Sequence, residues 1–179
     1  MGPDAPSLIR LEAAALSAWP AVKTAYDGRW LWRFARGFSK RANCMQSLDV
    51  SDDGDVAARL ARLAELSDAH RIAPLFRVTP LTGPGVAAAL AAGGWTPPFA
   101  ESLVLAMPLG GVDFDPAHRV RQYNIADPDW YLAQAEMAGY VPATVAVLRE
   151  MLLLVPHEAR GLLAIGPDGL PAAAAMVVN

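Results

Sequence analysis

Trp30, Trp32 and Phe34 alternate with Leu31, Arg33 and Ala35 between two turn sequences, Asp27-Gly28 and Arg36-Gly37. A period of two over this length specifies an extended strand with its aromatics on one face, and so commits this part of the chain to a sheet. The stretch Ser39–Leu48 reads as the returning strand of a β-hairpin. Ahead of it, Leu8, Leu11, Ala15 and Trp19 recur at helical spacing, which predicts a helix over Ser7–Ala25 that Pro20 kinks or ends.

Turns and caps divide the rest. Ser51-Asp52-Asp53-Gly54-Asp55 leads into a helix marked by Val56, Leu60, Leu63 and Ser67, reaching about His70. Pro74–Thr79 reads as a short strand. Val86–Ala92 reads as a helix opened by Pro84 and closed by Gly93-Gly94. Phe99–Met107 alternates as a strand. Pro108-Leu109-Gly110-Gly111 then reads as a boundary, where the charge balance changes. Residues 1–109 hold 11 basic and 10 acidic side chains, and 110–179 hold 4 and 8. The second part predicts a strand at Arg119–Tyr123, a helix from the Asp127-Pro128 cap to about Gly139, and a helix from Pro142 through Leu154. A hairpin of Glu158–Ile165 and Leu170–Val178 follows, across Gly166-Pro167-Asp168-Gly169. The fold class is therefore α/β or α+β with mixed sheets. The expected domains are 1–109 and 110–179.

Composition removes whole classes of function. With 54% hydrophobic and 18% charged residues the chain is not disordered. A net charge of −3 argues against nucleic acid as a partner. The single cysteine, Cys44, excludes an internal disulfide and four-cysteine zinc sites. His70, His118 and His157 lack metal-ligand spacing, so no metal is expected. No stretch has membrane-span length, and the N-terminus lacks a signal-peptide pattern, so the expectation is a cytoplasmic protein with no membrane partner.

The segment Asp27-Gly28-Arg29-Trp30, Arg33, Gly37 and Lys40-Arg41-Ala42-Asn43, preceded by Glu12 and Ala18-Trp19-Pro20, resembles a bacterial group of GNAT-superfamily N-acetyltransferases. In that group a GNAT-like half precedes a second, better-formed acetyltransferase half. Phe76-Arg77-Val78-Thr79-Pro80 and Gly93-Gly94-Trp95 fit the same pattern, while Arg29 is an insertion between Gly28 and the tryptophan. The resemblance implies a GNAT-like N-terminal domain followed by the first part of a second GNAT domain. It also implies acetyl transfer from acetyl-CoA to a primary amine.

The superfamily holds the acetyl-CoA pyrophosphate with an Arg/Gln-x-x-Gly-x-Gly/Ala loop that opens a helix. No such loop occurs among these 179 residues. The second half therefore resembles an acetyltransferase domain lacking its cofactor half. The expectation is a truncated product, a designed fragment or one piece of a split gene, inactive alone. Its last apolar strand, Ala172–Val178, would be open to pairing with another chain. The alternative is a non-catalytic ligand- or partner-binding module with a degenerate GNAT fold.

Five cations, Arg29, Arg33, Arg36, Lys40 and Arg41, occur with no acid between Asp27 and Asp49. They read either as a groove for an anionic or amine-bearing small molecule or as a solvated hairpin face. Trp30 and Trp32 stack on a ligand in the first reading and pack into the core in the second, which the alternation favours. With the resemblance, the substrate-binding candidates are Trp30, Arg33, Arg41 and Asn43, although Asn43 could equally tie up backbone at a bulge. Cys44 reads as a small core residue. Trp130, Ala133, Met137 and Tyr140 read as a core stripe rather than an acceptor-site lining. No residue is nominated as the general base.

Overall fold

Strand β2 (Trp30–Phe34) is buried along its whole length, and it gathers the rest of the first sheet around it. In this computed structural model, which describes residues 5–105 and 119–179, β1 (Lys23–Asp27) and β3 (Met45–Ser47) flank it, both antiparallel. The register pairs Thr24 with Arg33, Tyr26 with Leu31 and Leu31 with Gln46. Opposed residues share a face, so Leu31 and Arg33 lie on one side, and Trp30, Trp32 and Phe34 on the other.

The aromatic side is the core of this unit. Trp30, Trp32 and Phe34 pack with Met45 and Phe76, with Leu60 and Leu63 of α2 (Val56–Ala69), and with Val86 and Leu90 of α3 (Pro84–Ala92). The ring of Trp30 meets that of Phe76 edge-on at 5.4 Å, and the indole of Trp32 donates to Ser67 Oγ at 2.9 Å. A second cluster forms where α5 (Pro142–Leu153) brings Val147 and Met151 against Ala35 and Ala42. Arg36 and Glu150 close its rim with a 3.0 Å ion pair. The first compact unit accordingly runs to Thr96 and takes in Val141–Glu158.

The second unit comprises Pro97–Tyr140 and Ala159–Asn179. Its sheet is β4 (Arg119–Asn124), β5 (Ala159–Ile165) and β6 (Pro171–Val178), antiparallel in that order, with α4 (Pro128–Met137) against it. Asp127 caps α4, its carboxylate accepting from Asp129 N at 2.9 Å. Trp130 is 3% exposed and lies over Gly161 of β5, where a Cβ would overlap the indole ring. Gly161→Ala is therefore expected to destabilise this unit by about 2–3 kcal/mol, with loss of Trp130 near-UV signal as the readout.

Four expectations change. The first helix, α1, spans Ala5–Ala18 and does not reach Ala25. Pro20 cannot donate a helical hydrogen bond and disfavours helix at Trp19, so the chain turns there and enters β1. The returning strand is shorter than Ser39–Leu48. Arg36, Gly37 and Ser39 have positive φ, a 3-10 turn covers Lys40–Ala42, and only Met45–Ser47 is strand. Pro74–Thr79 contributes a single parallel bridge, Phe76 to Met45, held by Met45 N to Leu75 O (2.7 Å) and Arg77 N to Met45 O (2.8 Å). Residues 99–105 alternate but are not strand, and Leu103 and Leu105 are 80% and 87% exposed. The expected boundary at Pro108–Gly111 lies outside the described residues. The architecture is α+β: two three-stranded antiparallel sheets and five α-helices among the described residues.

Candidate functional site

The face of β2 opposite the aromatic core carries the polar chemistry of the first unit. Arg33 stands at its centre, 4% exposed. Its Nη1 donates to the Arg41 carbonyl at 2.7 Å and its Nη2 to the Trp19 carbonyl. Neither acceptor is charged, and among the described residues Arg33 has no carboxylate partner. Burial lowers its pKa, and the neighbouring Arg77 and Arg41 act in the same direction. A guanidinium stays protonated in proteins even so, which leaves a buried positive charge.

Beside it, Asn43 uses its whole hydrogen-bonding capacity on the loop that follows β2. Its Oδ1 accepts from Ala35 N (2.8 Å) and Gly37 N (2.9 Å), and its Nδ2 donates to Phe38 O (2.6 Å) and Ser39 O (2.9 Å). Arg41 is exposed and stacks over Trp19, 5.8 Å from the ring centroid. The indole of Trp19 donates in turn to Ser39 Oγ at 3.0 Å. Arg33, Arg41 and Asn43 are thus brought together. Trp30 lies on the other face with no exposure, its indole donating to Asp52 O at 2.9 Å.

A second constellation on this face was not singled out as a site by sequence. Arg77 forms a forked ion pair with Glu12 of α1, and Gln46 of β3 bridges the two: its Oε1 accepts from Arg77 at 3.3 Å and its Nε2 donates to Glu12 at 3.4 Å. Both ends fall in the resemblance stretches, but 65 residues separate them, so no local spacing announces the pair. Cys44 is 2% exposed beside these groups. Burial pushes its thiol up to about 11, against the opposing pull of Arg33 and Arg77. A thiol in that state is a poor nucleophile. Native protein at pH 8 is expected to resist iodoacetamide at Cys44, and denaturant is expected to raise the labelling rate at least about a hundredfold.

A pocket of about 200 Å³ opens on the same side of the sheet. Leu16 and Ser17 of α1, Pro20 and Ala21, Thr24 and Tyr26 of β1, and Leu31 and Arg33 of β2 line it.

The Asp-Gly-x-Trp part of the pattern forms a separate staple. Gly28 has φ +61°, and a Cβ there would lie 2.8 Å from both Arg59 Nη2 and Asp52 Oδ2. Arg59 is 5% exposed, pairs with Asp52 at 2.7 Å, donates to the Asp27 carbonyl and lies 4.5 Å over the Trp30 ring. Asp27 also takes Arg62 at 2.7 Å.

Whether these residues could cradle a pyrophosphate is decided at the helix N-termini. The Gly83-Pro84-Gly85 start of α3 already holds an internal carboxylate, with Gly85 N donating to Asp53 Oδ2 at 2.7 Å. Asp55 and Asp127 stand at the N-caps of α2 and α4, where their charge repels an anion. The start of α5, Val141-Pro142, offers no glycine. The acetyl-CoA pyrophosphate does not fit these four starts. Among the described residues there is also no cluster of three or more His, Cys, Asp or Glu that could hold a metal, and no helix long and apolar enough to cross a membrane.

No curated protein and no solved structure matches this sequence. A family model does, over residues 7–157, and its description is the C-terminal region of the probable histone acetyltransferase Rv0428c. The match takes in Glu12, Trp19, Arg33, Asn43, Gln46 and Arg77, the residues that build the polar face. Acetyltransferases of this kind use acetyl-CoA in general, and the chain belongs to the Rv0428c C-terminal acetyltransferase family.

Proposed function

We propose that the chain provides the acceptor side of a GNAT-type N-acetyltransferase, which moves an acetyl group from acetyl-CoA to a primary amine. The family match over residues 7–157 carries this reading. The acceptor is received on the polar face of the first unit. Arg33 and Arg41 contact it, Asn43 fixes the loop between them, and Trp30 supports β2 from behind. The family's description is that of a probable histone acetyltransferase, and a protein lysine side chain is one primary amine of the required kind. The acetyl-CoA cradle comes from outside these residues, so the chain alone does not catalyse transfer.

A second reading, a non-catalytic ligand- or partner-binding module, is favoured by one observation: the Asp53 carboxylate closes the Gly83-Pro84-Gly85 helix start. The two separate in solution. An isotope-labelled chain is titrated with polyamines, lysine-bearing peptides and amino acids while the backbone amides of Thr24, Leu31, Arg33 and Arg41 are followed. Saturable shifts with at least one primary amine, retained by its N-acetylated product, are expected for an acceptor site. Silence toward every amine leaves the second reading.

A further inference from the structure

The Arg33 guanidinium is a buried cation with no counter-anion among the described residues, and it forms part of a pocket wall. Burying a charge without a partner is costly, and proteins ordinarily pair it. Each of the other buried or half-buried arginines nearby has its carboxylate: Arg59 has Asp52, and Arg77 has Glu12. Two of the five guanidinium N–H groups of Arg33 go to the carbonyls of Trp19 and Arg41, which leaves donors for a ligand.

We infer that the pocket beneath α1 seats the carboxylate of a small molecule on Arg33, with the molecule's short apolar body against Leu16 and Leu31. This rests on the acceptor-side reading and narrows it: the acceptor is a primary amine that also bears a carboxylate. The acid end anchors at Arg33. The amine end lies at the open rim, where Tyr26 is 72% exposed.

Charge and size select this class. A planar guanidinium matches a carboxylate fork to fork. Arg33 is the one cation among the lining residues and neutralises one negative charge, whereas a phosphate dianion would keep a second, unpaired one. No helix start is among the lining residues to help hold it. A volume of about 200 Å³ is below the range that drug-sized ligands occupy, so it takes a short chain rather than a nucleotide.

Thr24 supplies the decisive variant. It is exposed on edge strand β1 and directly opposite Arg33. A glutamate there would place an internal carboxylate within reach of the guanidinium. The probes are hexanoate, 6-aminohexanoate and hexylamine, which share one chain length and differ in charge. Inorganic phosphate is a fourth. Hexanoate and 6-aminohexanoate are expected to shift the amides of Thr24, Leu31 and Arg33 saturably, with a dissociation constant of about 1 mM. Hexylamine is expected to bind at least about tenfold more weakly. Thr24→Glu should weaken both acids at least about tenfold more than the isosteric Thr24→Gln does, and should raise the unfolding temperature where Thr24→Gln does not.

The inference is overturned if neither acid binds, if hexylamine binds as well as hexanoate, if phosphate binds more tightly than hexanoate, or if Thr24→Glu still binds both acids. Hexanoate binding with 6-aminohexanoate excluded would keep the carboxylate seat and sink the amine-acceptor reading. Hexylamine binding alone would do the reverse.

Discussion

Replacing Asn43 with alanine is expected to cost about 3–5 kcal/mol of stability, among the largest effects available to a single surface-loop substitution in this chain. The cause is arithmetic on donors and acceptors. The side chain satisfies two backbone N–H groups and two backbone carbonyls, and the residue is 7% exposed. Its removal strands four backbone polar groups, of which Ala35 N is buried and the other three are partly so. The loop also depends on it conformationally, since Arg36 and Ser39 hold positive φ with side chains that do not favour it. Asn43→Asp keeps the shape and the acceptors but faces the Phe38 and Ser39 carbonyls with an oxygen, so it should be nearly as damaging. Denaturant titration of the two variants checks both statements. An aspartate variant of wild-type stability would show that the two donated bonds contribute nothing.

Arg59→Ala is expected to cost about 2–4 kcal/mol, because it removes the buried member of a half-buried ion pair and leaves the Asp52 carboxylate only partly reached by water. The Asp52 carboxylate loses a partner at 2.7 Å, the Asp27 carbonyl loses its donor, and the Trp30 ring loses the cation above it. Arg59→Lys keeps the charge but not the fork or the flat stacking, and should recover only part.

The same staple fixes how stability depends on acid. Arg59 hydrogen bonds first, and the Arg29 amide second, hold the Asp52 carboxyl down to about 2. A carboxyl depressed in the folded state contributes stability that is complete above its unfolded value near 3.8 and disappears as pH falls through about 2. Asp49, lowered by its hydrogen bonds to Ser51, acts in the same direction. The wild-type unfolding temperature should therefore fall between about pH 4 and pH 2. Asp52→Asn should start lower and fall less steeply in that window. A parallel fall in both proteins would remove Asp52 from the acid response.

How much of this could be read from the chain alone differs residue by residue. Strand β2 was legible because the alternation of Trp30, Trp32 and Phe34 with Leu31 and Arg33 is a local pattern. So were α2, α4 and α5, whose starts carry Asp55, Asp127-Pro128 and Pro142. Strand β1 was not. Ala21 and Ala25 count as helix formers, and Lys23–Asp27 is a strand because β2 pairs with it, which is a non-local fact. The reverse error occurred at residues 99–105, where the alternation does not make a strand. Within the candidate site, Arg33, Arg41 and Asn43 were picked out by resemblance, and the structure joins them. Trp30 was grouped with them, yet alternation itself assigns it to the opposite face, a consequence that the pattern of Arg33 and Trp30 at odd and even positions already contained. The Glu12–Gln46–Arg77 cluster needed the fold, since its members come from α1, β3 and the segment beside β3.

The Rv0428c family match implies acetyl-CoA chemistry, whereas the starts of α2, α3, α4 and α5 offer no cradle for its pyrophosphate. A calorimetric titration of the purified chain with acetyl-CoA puts these two facts in direct contact. No binding heat is the expected result, with a cooperative thermal unfolding transition in the same preparation as proof of a competent fold. Stoichiometric acetyl-CoA binding would contradict it, and would mean that Asp53 yields the α3 start or that another segment of the chain holds the pyrophosphate.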